Sequence, residues 1–120
     1  MGDSKLHANP DVEAVLEQCP FLTSRVELTE HSYYIFGEIA FMIRDGQLSD
    51  SEMRAVFAHF ERMATSHGET ENLLEVGILE ILTDTPESVK RARTWLGTGP
   101  ARLLFERVLK GYSFPSPSRK

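Results

Sequence analysis

The densest apolar stretch of the chain is residues 72–82, NLLEVGILEIL. At about 100° per residue, Leu73, Leu74, Val76, Ile78, Leu79, Ile81 and Leu82 leave no face of a helix without an apolar side chain, and a helix apolar all round belongs inside a fold. The acidic lead-in Glu69-Thr70-Glu71 suits the positive end of a helix dipole. A buried strand is the alternative that so short an apolar run leaves open. A bilayer span takes about 20 apolar residues, and Glu75 and Glu80 interrupt this one. The stretch therefore predicts a buried central helix over about 69–83.

The flanking segments carry helical stripes and helix-end signals. Asn9-Pro10 reads as an N-cap followed by proline at the first helical position, and Val12, Val15, Leu16 and Cys19 make an inward stripe that Pro20 ends. A connection anchored by Phe21 and Leu22 follows to about Thr29, with room for a brief extended segment at Val26 and Leu28. The next helix, from about Glu30 to Arg44, has two stripes. Phe36, Ile39, Ala40 and Ile43 point to the core, while Tyr34, Glu38, Phe41 and Asp45 line the opposite side. Gly46 supplies the left-handed residue after it. Ser49-Asp50-Ser51-Glu52 has the form of a capping box and opens a helix to about Ser66, with Met53, Val56, Phe57, Phe60, Met63 and Ala64 on one face. Thr85-Pro86 starts a fifth helix with Val89, Ala92 and Leu96 inward. Residues 97–100, GTGP, separate it from a sixth in which Leu104, Phe105, Val108 and Leu109 face inward, Arg102, Glu106 and Lys110 form an outer ladder, and Gly111 is the stop.

These elements predict an all-α, single-domain bundle of about six helices around the buried central helix. A leader over residues 1–9, a helical domain over 10–111 and a flexible tail over 112–120 complete the expected organisation. No repeat at a solenoid period is visible.

Charge changes this picture more than composition does. The net charge is −5, but residues 1–87 hold 17 of the 18 acidic and 5 of the 13 basic residues, a balance of −12, leaving +7 for residues 88–120. Either the basic C-terminal helices neutralise acidic ones within the fold, or an acidic surface is kept for a basic partner. Nucleic acid is not expected, because most of the surface would repel phosphate and the basic region lacks interleaved aromatics. The outer stripe of Tyr34, Glu38, Phe41 and Asp45 fits a protein-binding face, since aromatic anchors hold a complex and charges select it. Its alternative is that a neighbouring element covers Tyr34 and Phe41. Glu69, Glu71 and Glu75, at the start of the central helix, are the second candidate for partner contact.

Catalytic patterns are sparse. His7, His31, His59 and His67 fall at no metal-ligand spacing and read as surface histidines, so no metal and no cofactor is expected. Cys19 is the single cysteine and sits on a packing stripe, which makes it a small buried hydrophobe. Glu71 and Glu75 share a helical face and could act as an acid–base pair, although dipole and solvent explain them more simply. Glu80 lies within the most apolar helix and predicts a structural ion that needs an arginine such as Arg93 or Arg102; a catalytic role is the alternative. The first residues, MGDSKLHANPDVE, have neither the positive region nor the apolar core of a secretory signal. That predicts a cytoplasmic protein with no membrane attachment.

The segments YYIFGEIAFMIRD, ETENLLEVGILEILTDTPE and ARTWLGTGPARLLFERV together resemble a group of small, acidic, all-helical bacterial proteins of mostly uncharacterised members. Members of that group are often regarded as immunity proteins of polymorphic toxins. The resemblance spans about residues 30–110 and rests on core and capping positions. It implies a non-enzymatic chain that binds a cognate toxin domain and occludes its active or substrate-binding surface. A small adaptor or regulatory module with another protein partner is the alternative.

Overall fold

In the computed structural model the described residues are 9–27 and 31–113, and every regular element among them is helical. Helix α1, Pro10–Gln18, opens on Asn9, whose Oδ1 accepts hydrogen bonds from the backbone N–H groups of Asp11 and Val12 at 2.8 and 3.3 Å. Val12, Val15, Leu16 and Cys19 are buried along one stripe, as the spacing requires. The expected open connection is instead a 3₁₀ turn, Pro20–Ser24, which drives Leu22 into the core. Val26 is buried beyond it at a bend, and the rest of the extended segment expected there, including Leu28, lies outside the described residues.

Helix α2 is Ser32–Arg44; the expected start at Glu30 also lies outside the described residues. Ile35, Phe36, Ile39, Ala40, Met42 and Ile43 are buried. Its C-terminus closes in a Schellman motif, with Gly46 N–H donating to the Ile43 carbonyl at 3.1 Å and Gln47 N–H to the Met42 carbonyl at 2.8 Å. Gly46 takes φ +70°, which an L side chain adopts at a cost. Two carbonyls at this end, those of Ile43 and Arg44, also accept from the Arg91 guanidinium at 3.3 and 2.8 Å, a cation at the negative end of the helix.

Helix α3, Asp50–Ala64, begins with the full capping box. Glu52 N–H donates to Ser49 Oγ at 3.3 Å, and Ser49 N–H donates to Glu52 Oε1 at 3.0 Å. Arg25 reaches the same carboxylate at 2.6 Å and ties the first connection to this helix. The predicted stripe is buried, with Phe57 and Phe60 in edge contact at 5.1 Å. One correction falls on this helix: His59, expected at the surface, is 5 % exposed. It sits one residue before Phe60 on the flank that α1 covers, and a stripe drawn from apolar residues alone does not register a histidine that a neighbouring helix buries.

Helix α4 runs over residues 68–82 and is the element that packs against α2, α3, α5 and α6. It is α-helical over Gly68–Leu74, π-helical over Glu75–Leu79 and α-helical again over Glu80–Leu82. Leu73, Leu74, Ile78, Leu79 and Leu82 are buried at 2 % exposure or less. The expectation of burial all round is corrected, since Val76 is 41 % exposed and Asn72 also faces solvent. The helices packed around α4 leave the side of Asn72 and Val76 open to solvent.

Helix α5, Pro86–Leu96, is capped by Thr85, whose Oγ1 accepts from Ser88 N–H at 3.0 Å. Helix α6, Pro100–Ser113, takes its N-terminal support from α3, where the Glu61 carboxylate accepts from Ala101 N–H at 3.3 Å. Gly111 does not stop it. Outside the left-handed region a glycine costs a helix only about 1 kcal/mol, which neighbouring turns outweigh.

The ion assigned to Glu80 is also corrected. Glu80 is half-buried, four residues on from exposed Val76, and no ion pair reaches it among the described residues. Arg93 and Arg102 instead converge on Glu106, at 2.8 and 2.7 Å, because α5 and α6 face each other along their own seam. Arg93, from α5, takes the place that Lys110 was expected to hold in the outer ladder. Hydrogen bonds from Arg93 first and Arg102 next hold the Glu106 carboxyl at about 2, below its ordinary 4.5. A depressed carboxyl stabilises the fold above its unfolded value and loses that contribution as pH falls from about 4.5 towards 2. Glu106→Gln should therefore be less stable than the wild type at pH 7, by about 1 kcal/mol for so exposed a cluster, with the gap closing below pH 4.5. Urea titrations of both proteins across that range check it; a gap that stays constant down to pH 2 removes Glu106 as the titrating group.

Candidate protein-binding face

Contacts between α2 and α4 advance together along both helices. Tyr33 Oη accepts from Asn72 Nδ2 at 2.9 Å, Gly37 lies against Ile81, and Arg44 Nη1 reaches Asp84 at 2.9 Å. The two helices therefore run in the same direction, side by side. Gly77 permits the close approach: a Cβ there would stand 3.1 Å from Leu73 Cδ1 and 3.4 Å from Tyr33 Cδ2. Tyr33, Gly37 and Arg44 occupy one flank of α2, so the stripe of Tyr34, Glu38, Phe41 and Asp45 lies directly beside this seam.

That stripe is open to solvent. Tyr34 is 46 % and Phe41 44 % exposed, and no neighbouring element among the described residues covers them. Tyr33 and Val76 are exposed to a similar degree. The polar groups between them are held by one another. Tyr34 Oη donates to Glu27 Oε1 at 3.2 Å and Glu27 N–H donates to Glu38 Oε1 at 2.9 Å, and the two carboxylates push the Tyr34 hydroxyl above its ordinary pKa. Arg44 stacks on the Phe41 ring at 4.8 Å while donating to Asp45 at 3.1 Å and to Asp84. The result is a row of half-exposed aromatic rings whose acidic neighbours are preset in position, with one arginine among them.

The second acidic candidate is spread differently. Glu69 is exposed, and half-buried Glu71 lies 3.6 Å from exposed His67 near the N-terminus of α4. Glu75 begins the π turn, beside Val76. The π turn is the feature that sequence periodicity misses, because it breaks the 100° step on which a wheel depends; such turns are rare and recur at functional sites. Tyr33 and Asn72 join the face without having been singled out, and Val76 is exposed on α4 four residues after Asn72. Tyr33 precedes a recognised position, and Val76 is hidden in an apolar run.

Among the described residues no lysine or arginine after residue 87 forms an ion pair with an acid before residue 88. Apart from Glu52, Asp45 and Asp84, which pair with Arg25 and Arg44, no carboxylate of residues 1–87 forms an ion pair with a lysine or arginine among the described residues.

Two buried groups bear on chemistry. Burial pushes the Cys19 thiol up to about 11, so it stays protonated and inert at neutral pH. His59 Nδ1 is buried without a hydrogen-bond partner, and burial first, Arg62 second, lowers the imidazole's pKa; the ring is neutral, with its other edge in a cleft shared with Asp11, Arg62 and Thr70. The Thr70 hydroxyl donates to Asp11 Oδ1 there at 2.7 Å, which closes the cleft between α1 and α4. Among the described residues no group of three histidine, cysteine, aspartate or glutamate side chains could hold a metal ion, and no helix is long and apolar enough to cross a membrane. Compared with protein-family models, curated proteins and solved structures, the chain matches none.

Proposed function

We propose that this chain is a non-enzymatic, cytoplasmic protein-binding domain whose α2–α4 face receives a basic protein, and that it acts as an immunity protein neutralising a cognate antibacterial toxin domain. The observation that carries the reading is the solvent-facing row of Tyr34 and Phe41 on α2, set among Glu38 and Asp45. Apolar rings left half in water have a use when another protein removes them from it, and the surrounding acids attract a cationic partner over a distance. A toxin that handles phosphate-bearing or acidic targets has such a cationic surface, and an acidic cover would occlude it. The immunity role itself is supported by the resemblance described above.

The test is co-expression with the product of the adjacent gene, with protection and binding kinetics measured for Glu38→Lys combined with Asp45→Lys. Association should slow about tenfold or more at low salt and lose most of its salt dependence, since long-range attraction is removed. Full protection with unaltered kinetics would move the interface off this face, with Glu69 and Glu71 the next place to look. Binding to a partner that is not a toxin would favour the adaptor reading of the same surface.

A further inference from the structure

Helices α5 and α6 carry a second surface of opposite sign. Arg93 grips both oxygens of Glu106 at 2.8 Å, and Arg102 Nε adds a third bond at 2.7 Å. Lys90, Arg107 and Lys110 are exposed and form no ion pair among the described residues. Leu103 lies on the same outer side, four residues before Arg107 and seven before Lys110, and at 71 % it is the most exposed large apolar side chain among the described residues. Arg93, Leu103, Glu106, Arg107 and Lys110 border a depression of about 500 Å³, and Lys90 and Arg102 border a second one that shares Arg93 with it.

We infer that the α5–α6 face docks an acidic segment of a protein, with Leu103 as its apolar contact. The face already holds one carboxylate, that of Glu106, in the geometry an incoming aspartate or glutamate would use. Arg107 and Lys110 beside it, and Lys90 further along α5, form no ion pair among the described residues, so complementarity selects an acidic occupant. A nucleic acid satisfies the cations but not the leucine: bases stack on aromatic rings, and none among the described residues borders the Leu103 depression. The acidic first 87 residues would also repel a polyphosphate chain. This surface is independent of the α2–α4 reading, which calls for a basic partner.

A fluorescein-labelled, 20-residue amphipathic peptide of glutamate and leucine, titrated with the full chain and followed by anisotropy at two salt concentrations, is the direct probe. Arg107→Glu with Lys110→Glu should weaken binding about tenfold or more and flatten its salt dependence. Leu103→Ser should weaken it about fivefold with the salt dependence intact. Glu106→Gln should tighten it severalfold by releasing Arg93 and Arg102 from their internal carboxylate, a change that mere damage to the fold would not produce; circular dichroism confirms each variant folded. Four results would overturn the inference. They are no saturable binding, indifference to Leu103→Ser, binding of a 20-nucleotide single strand as tight as the peptide's, or a wild-type dimer in sedimentation that Arg107→Glu with Lys110→Glu renders monomeric, which would make the occupant a second copy of the chain.

Discussion

Leu79→Ala should lower the unfolding free energy by about 2 to 5 kcal/mol, the cost of removing a fully buried side chain and leaving a space that its neighbours only partly fill. Leu79 is 0 % exposed at the end of the π turn, in the helix that packs against α2, α3, α5 and α6, so the cavity would open where the domain has least freedom to collapse. The informative comparison is Val76→Ala, three residues earlier in the same turn. Val76 already faces solvent, and its truncation should change stability by no more than about 0.5 kcal/mol. Denaturant melts of the two variants read the orientation of the π segment directly. Equal losses would put Val76 inside the core; a negligible loss for Leu79→Ala would remove α4 from its centre.

The second large effect is expected in binding, not stability. If the α2–α4 face holds a partner, Tyr34→Ala or Phe41→Ala should speed dissociation about 30-fold or more while leaving association nearly unchanged, because a buried aromatic anchor acts after the complex has formed. In the free protein each ring is about half exposed and contributes little to the core, so either truncation should cost about 1 kcal/mol or less. For Phe41 that cost is mainly the lost stacking with Arg44. Surface plasmon resonance for the complex and thermal melts for the free chain separate the two quantities. Strong destabilisation would show these rings to be core residues, and unchanged dissociation would place the anchor elsewhere.

The helix starts and the inward stripes were legible in the chain because their causes are local. Asn9, Ser49 and Thr85 cap the helices whose starts they mark, since a short polar side chain reaches the free N–H groups within its own first turn. The same holds for Gly46, whose positive φ is demanded by the closing turn itself, and for Val12 through Cys19, whose spacing alone selects one face. The stripe of Tyr34, Glu38, Phe41 and Asp45 was readable for the same reason, as a second periodic row opposite the first.

Only the tertiary structure decided which charges meet and which apolar residues remain outside. Glu80 sits in the most apolar run of the chain, yet it lies at the open edge of α4, and the arginines expected to pair with it bond to Glu106 on a neighbouring helix. His59 went the other way, buried by α1, and Val76, inside the apolar run, faces solvent from the π turn. Periodicity states the angle at which a side chain leaves its own helix. Whether that direction meets solvent, a carboxylate or another helix depends on how the remaining helices pack, and those distances are set between residues far apart in the chain.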